Sequence, residues 1–158
     1  MAEAAPRLGT LVYARRHDGS VLLIERRRPP FVGHWVAPGG KVEAHEAPHT
    51  GAAREFHEET GLNALDLQLR GIVREVSPRA DFQWLLFLYR CCACGGQPAP
   101  GQEGDVRWWT RGELERAPVP EADRWWLPRV LGDDGRVLEA TLHYDSTLTL
   151  THIEAEAP

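Results

Sequence analysis

The stretch GKVEAHEAPHTGAAREFHEETGL, residues 40–62, constrains this chain more than any other. Proline is tolerated in the first turn of a helix and excluded from its interior, where it removes a hydrogen bond and clashes with the preceding turn. A helix in this stretch therefore starts near Pro48. Gly61 reaches the left-handed backbone that ends a helix at little cost, so the helix stops at Thr60. On either side, RLGTLVYAR (7–15) and LDLQLRGIVREV (65–76) alternate as strands do. A short helix pinned between strands points to an α/β layered sandwich with a mixed sheet between helices.

The same boundary disposes of a protease reading. Residues 45–49, HEAPH, carry the letters of the zinc-protease motif H-E-x-x-H. That motif works only when both histidines lie one helical turn apart on one face, with the glutamate as general base. A helix starting near Pro48 leaves His45 outside it. His45, His49 and His57 are accordingly expected at the surface or in loop packing.

HDG at 17–19 is a turn signal between 7–15 and SVLLIERR (20–27), giving a hairpin. RRPPFVGHW is a loop, and Gly39-Gly40 a tight turn. DFQWLLFLYRCCA (81–93) is apolar almost throughout, as in a strand covered on both faces. GGQPAPGQEG (95–104) is a surface loop, DVRWWT (105–110) a short strand and RGELER (111–116) a helical turn. EADRWWLPRVLG (121–132) is a second helix, with Pro128 early in it or kinking it. After the GDDG turn, 136–144 and 146–154 pair as a terminal hairpin. No internal repeat or second domain is visible, so the 158 residues are expected to form one domain.

The net charge of −5 argues against a protein that grips long nucleic acid. A small phosphorylated ligand stays open, because a metal ion can supply the positive charge. The longest apolar run, WLLFLY (84–89), is too short to span a bilayer, and MAEAAPRLGT has no signal-peptide core. Three cysteines, Cys91, Cys92 and Cys94, are an odd set without a secretion signal, which argues for buried, reduced thiols. The expectation is a soluble cytoplasmic protein, a monomer or homodimer, with no membrane partner.

The acids of the helix carry the chemistry. At about 100° per residue, Glu55, Glu58 and Glu59 fall at about 0°, 300° and 40° and share one face. Ala52, Ala53 and Phe56 point elsewhere and can pack on a sheet. No lysine is interspersed to offset the repulsion. A solvated acidic face is the plain alternative. The chemical one is a hard-cation site, since Mg²⁺ and Mn²⁺ take carboxylate oxygens and substrate phosphates. Gly39-Gly40 lets the backbone come close, so a glycine carbonyl can join the coordination. Arg54, beside Glu55, can hold a carboxylate and lower its pKa.

These residues resemble the Nudix box, G-x5-E-x7-R-E-U-x-E-E-x-G-U, where U is bulky and apolar. Gly40, Glu46, Arg54, Glu55, Phe56, Glu58, Glu59, Gly61 and Leu62 fill its nine fixed positions over 23 residues. The resemblance implies a Nudix-type fold and hydrolysis of a nucleoside diphosphate linkage with Mg²⁺, or Mn²⁺, as cofactor and a small nucleotide as substrate. Carried over by position, Glu58 and Glu59 are the main metal ligands. Glu55 is a further ligand or the base that orients water, and Gly40 offers its carbonyl. Arg54 and Glu46 are supporting groups, with Arg54 orienting a catalytic carboxylate. The implied mechanism is attack of a metal-polarised water on phosphorus, with a glutamate taking the proton.

The resemblance extends past the box. GHWVAPGGKVE (33–43) is similar to the segment leading into the box in MutT-like members. Glu103 matches in position a downstream glutamate that completes the metal site or acts as base, with Asp105 as its rival. PEADRWWLP (120–128) resembles the acidic-aromatic segment with which oxidised-purine triphosphatases of the family recognise the base. It implies an acidic role for Glu121 or Asp123 and a stacking role for Trp125 or Trp126, set against plain core packing of both tryptophans. The segment departs from that pattern: it is longer, and Val36 and Val119 stand where those enzymes carry a base-contacting Asn and a stacking Trp. Arg26, Arg27 and Arg28 close the second expected strand and can hold phosphates.

Three functions follow in order. The first is a MutT-like nucleoside triphosphate pyrophosphohydrolase, with 8-oxo-dGTP favoured. The second is a hydrolase of another nucleotide, ADP-ribose first, for which Pro78 stands where many ADP-ribose pyrophosphatases carry a proline. The third is a Nudix-fold binding module without catalysis, which a complete box disfavours.

Overall fold

Alternation along the first strand sends Val12 and Ala14 to one face of a sheet and Tyr13 to the other, and both faces are covered. The computed structural model describes residues 4–94, 96–99 and 104–156, the side chains of Ala93 and Cys94 excepted. In chain order the elements are β1 (Arg7–Ala14), β2 (Val21–Glu25), β3 (Trp35–Val36), β4 (Gly39–Lys41), α1 (Pro48–Thr60), β5 (Ala64–Leu65), β6 (Gln68–Val76), β7 (Trp84–Cys91), β8 (Ala93–Cys94), β9 (Val106–Trp109), α2 (Arg111–Leu114), α3 (Glu121–Leu131), β10 (Leu138–Tyr144) and β11 (Leu150–Ala155).

Six strands form the main sheet in the order β11-β10-β6-β7-β1-β4, with parallel pairs β10/β6 and β7/β1 and antiparallel pairs elsewhere. A smaller antiparallel sheet runs β3-β2-β9, and β5 pairs with β8. Helix α1 covers one face of the main sheet, with Ala52 and Phe56 against Val12, Ala14, Tyr89 and Cys91. Helix α3 covers the other, with Trp126 and Val130 among Tyr13, Val73, Leu88 and Leu142. The expected α/β sandwich, a mixed sheet between helices, is what forms.

Helix α1 has the expected ends. Pro48 occupies its first turn, and Gly61 at φ 73° gives its N–H to the His57 carbonyl at 2.8 Å. His45 lies outside the helix at φ 72°, so the two histidines of HEAPH never share a helical face, and His45, His49 and His57 are all exposed. Helix α3 ends at Leu131, with Pro128 tolerated in its last turns. Three arginines from the sheet seize its C-terminal carbonyls. Arg15, just past β1, donates to Leu131 at 2.6 Å, and Arg70 of β6 to Gly132 at 2.9 Å. Arg90 of β7 donates to Leu131 and Gly132. Cations at this end also meet the negative pole of the helix dipole.

Three expectations are corrected. The segments 7–15 and 20–27 do not form a hairpin: only the bridge Arg15–Val21 joins them, although Asp18 does build the turn by accepting the Ser20 N–H at 2.9 Å. Both edges of β1 are taken, by β7 and β4, and β2 pairs with β3 and β9 in the second sheet. Gly39-Gly40 is not a tight turn but the extended strand β4, with Gly39 opposite Leu11 and Gly40 opposite Thr10. A Cβ on Gly39 would lie 1.8 Å from the Thr10 carbonyl oxygen, which is why glycine stands there. Of the thiols, Cys91 is buried but Cys92 is exposed, because the strand ends between them. The terminal hairpin does form, as β10 and β11.

Phe56 is completely buried under α1. Phe56→Ala should cost about 3–5 kcal/mol, as truncating a packed aromatic does, read from denaturant unfolding. A loss below about 1 kcal/mol would mean that α1 does not pack on the sheet through this side chain.

Candidate active site

A single guanidinium organises the acids of α1. Arg54 donates to Glu46 through Nη2 and Nε at 2.7 and 3.2 Å, to Glu55 at 2.9 Å and to Glu58 at 3.3 Å. It also reaches the Lys41 carbonyl at 3.1 Å, tying the helix to β4. This fork-to-carboxylate geometry is strong and directional. Its carboxylate partners, Glu46 first, raise the Arg54 pKa. In turn Arg54, with the Glu43 backbone N–H, holds Glu46 below the usual carboxylate range.

The helix meets β4 closely. A Cβ on Gly40 would sit 2.4 Å from the Glu55 carboxyl carbon, so the carboxylate occupies the space that glycine leaves. Glu59 accepts the Gly39 N–H at 3.2 Å. Glu55 and Glu59 thus line one end of a cleft of about 540 Å³, together with Gly40 and Lys41. Glu58 is more exposed, at 57% of its side chain, and lies beside Arg54 outside the cleft wall. Among the described residues no three such side chains already form a closed metal cage. Mg²⁺ does not need one, since it is commonly held by one or two carboxylates plus substrate phosphates and water. The all-oxygen set of Glu55, Glu58, Glu59 and the Gly40 carbonyl fits such an ion.

The other end of the cleft is different. Asp123 and Trp126 of α3 line it, with Glu75 of β6 and Tyr144 of β10. Glu75 and Asp123 are both buried, at 6% and 7% exposure. Burial pushes the Glu75 carboxyl up to about 7, against a hydrogen bond from Tyr144. Burial, and then the charge of Glu75, push Asp123 well above its ordinary value, while its own backbone N–H, the charge of Arg26 and the Tyr13 hydroxyl act the other way. Trp126 is 1% exposed and gives its Nε1–H to Tyr13 at 2.7 Å, so it is a core residue that also forms cleft wall.

The remaining candidates are dispersed. Arg26 lines the cleft, but its guanidinium holds the Pro30 and Pro29 carbonyls at 2.7 and 3.2 Å. Arg27 lines the mouth and pairs with Asp105 at 3.0 Å, both exposed. Glu121 is exposed at the start of α3, and Trp125 is half-buried beneath Arg129; neither lines the cleft. Pro78 is exposed and away from it. Glu103 lies outside the described residues. Sequence reasoning missed Glu75, Tyr13 and Tyr144. The signal for Glu75 was an acid in phase with Gly71 and Val73, the inward positions of an alternating strand.

The NUDIX domain family matches residues 5–130, and the chain belongs to it. The relative "Uncharacterized Nudix hydrolase YvcI" of Bacillus subtilis is 30% identical over 131 residues, 80% of either chain. "Putative 8-oxo-dGTP diphosphatase 2" of Mycobacterium tuberculosis is 36% identical over 109 residues, 68% of this chain and 77% of that one. Among solved structures, the MutT protein from Bacillus halodurans superimposes with a TM-score of 0.85 at 31% identity, covering 96% of this chain and 99% of its own. The chain is a MutT-like Nudix pyrophosphohydrolase, of a class that uses divalent metal ions and small nucleotide substrates.

Two outcomes test the electrostatics. Arg54→Lys keeps the charge but loses the fork, and should lower kcat/KM by about 10², the scale of misplacing a catalytic group. Glu75→Gln should change stability with pH. Near pH 4 the carboxyl is protonated in both states. As pH rises, the unfolded chain releases the proton near its ordinary value while the fold retains it to about 7, so wild type loses stability across that window. Glu75→Gln should therefore be more stable than wild type at pH 8, by about 3 kcal/mol. The gap should close by pH 4 in denaturant unfolding.

Proposed function

We propose that this enzyme hydrolyses a nucleoside triphosphate to the monophosphate and pyrophosphate, with 8-oxo-dGTP as its substrate. The observation that carries the reading is one cleft with two unlike ends: the box carboxylates Glu55 and Glu59 at one, and buried Asp123 with aromatic walls at the other. Its volume of about 540 Å³ suits a single nucleotide. The name of the M. tuberculosis relative supports the same substrate. Pro78, the residue that pointed to ADP-ribose, does not line the cleft.

Bound Mg²⁺, or Mn²⁺ in its place, supplies a Lewis acid that polarises water and neutralises phosphate charge. Glu58, Glu59 and the Gly40 carbonyl hold it, with Glu55 as further ligand or as acceptor of the water proton. Arg54 keeps Glu55 and Glu58 aimed, and Glu46 keeps Arg54 aimed. By its position in the sequence, Glu103 is assigned the role of an added ligand or base. Arg27 and Arg28 at the mouth hold phosphate oxygens. Arg26 acts one step back, by fixing the 29–31 loop. A cytoplasmic site of action accords with this substrate.

The test is incubation with Mg²⁺ and 8-oxo-dGTP, dGTP, ADP-ribose or a dinucleoside tetraphosphate, followed by chromatography. The expected products are 8-oxo-dGMP and pyrophosphate, and Glu58→Gln and Glu59→Gln should each lose about 10²-fold or more. AMP with ribose phosphate would transfer the reading to ADP-ribose. Tight binding without turnover would make the chain a binding module.

A further inference from the structure

We propose that His143, His152 and Glu154 on the terminal hairpin form a second metal site, made for a zinc-type transition cation. It is separate in place and in chemistry from the acids of α1. The hairpin is β10 and β11, at the edge of the main sheet opposite β4, where the box acids sit. Four to five strand spacings put the two sites about 20 Å apart. The inference does not depend on which nucleotide the cleft takes.

Leu142 and Tyr144 of β10 belong to the core that α3 covers, so His143 between them leaves the opposite face of the sheet. His152 of β11 stands directly across from it. Glu154, two residues further along β11, shares the face of His152. A bulge beside His143 leaves Thr151 without a partner in the ladder, and the Thr151 hydroxyl donates to the His143 carbonyl at 3.0 Å. The three side chains converge on one atom. Oε1 of Glu154 lies 3.4 Å from His143 Nε2 and 3.6 Å from His152 Nε2. The two rings are 5.6 Å apart and tilted by 35°. His143 Nε2 is closed to solvent and has no hydrogen-bond partner among the described residues, so its contact with the carboxylate does not satisfy it.

A carboxylate beside one exposed histidine is an ordinary surface ion pair. Here a single oxygen faces two imidazole nitrogens, one of them dry and unpaired. An unpaired buried nitrogen destabilises the fold, and a cation seated among the three groups removes that penalty. The spacing suits one. In a tetrahedral zinc site, with bonds of about 2.0–2.1 Å, neighbouring ligand atoms stand about 3.3–3.4 Å apart. The two contacts to Glu154 are close to that edge. The side chains form an open triad and not a closed cage. The exposed ring of His152 can turn to bring its nitrogen nearer that of His143, and water completes the shell. Two imidazoles select zinc, nickel or copper over Mg²⁺, which takes oxygen ligands. Because an ion held between β10 and β11 ties down an edge strand, its binding free energy adds to that of folding.

Calorimetric titration of Zn²⁺ into chelator-treated protein tests this with wild type, His143→Ala, His152→Ala and Glu154→Gln. Millimolar Mg²⁺ is kept present throughout to compete at the box acids. Wild type should bind a Zn²⁺ ion that Mg²⁺ does not displace. Each substitution should weaken that binding at least about tenfold, since even groups standing behind a metal ligand are worth that much. Co²⁺ in place of Zn²⁺ should give wild type the strong visible absorption of a four-coordinate ion, which an all-oxygen, six-coordinate site does not give, and His152→Ala should lack it. Zn²⁺ bound equally by wild type and His152→Ala would place the ion on the box acids or on the thiols of Cys91, Cys92 and Cys94, and overturns the proposal. So does a wild type that binds no Zn²⁺ in the presence of Mg²⁺. Should His143→Ala fail to fold, His152→Ala and Glu154→Gln, both at exposed positions, decide alone.

Discussion

The two-residue period of β1 is the constraint on which the cleft depends. Because successive side chains leave opposite faces of a strand, Val12 and Ala14 anchor α1 while Tyr13 reaches α3 and bonds both Trp126 and Asp123. The same strand pairs through Leu11, Thr10 and Gly9 with β4, whose Gly40 is pressed against Glu55. One strand therefore sets the distance between the cleft end lined by Glu55 and Glu59 and the end lined by Asp123 and Trp126. A slip of one residue would exchange the two faces and separate Tyr13 from Asp123.

The two ends keep their acids by opposite means. On and just before α1, four carboxylates gather near water around the forked guanidinium of Arg54. At the other end, burial outweighs the charge of Arg26 and raises the pKa of both Glu75 and Asp123. The first arrangement is poised to accept positive charge. The second is poised to accept hydrogen-bond donors. A single cleft thus joins two acidic groups in opposite surroundings.

Local features of the chain were legible and distant ones were not. Pro48 and Gly61 act within one turn of themselves, so the ends of α1 could be read directly, and with them the grouping of Glu55, Glu58 and Glu59. Asp18 likewise makes the turn that the sequence announces, but a turn does not decide which sheet receives the strand after it. Pairing of β1 with β7, over seventy residues away, leaves no local trace. Glycine at 39 and 40 signals either a turn or a close approach, and only the neighbour it approaches distinguishes the two. Glu75 looked like one more polar residue in an alternating strand, since its burial depends on α3 and β10 arriving over it. Glu121 and Trp125 stand outside the cleft wall for a related reason: a helix shows a cleft only part of its circumference, and Asp123 and Trp126 are on that part.

The arginine grip on the end of α3 has an evolutionary consequence. Arg15, Arg70 and Arg90 hold the helix chiefly by its main-chain carbonyls, which every amino acid possesses. The berth of the helix end is therefore largely indifferent to which side chains its exposed face carries. A lineage could rewrite exposed positions such as 121 and 128 without loosening that end, whereas Trp126, buried and bonded to Tyr13, is held by packing that the arginines do not replace. The grip fixes where the helix ends, and the buried tryptophan fixes how it lies on the sheet.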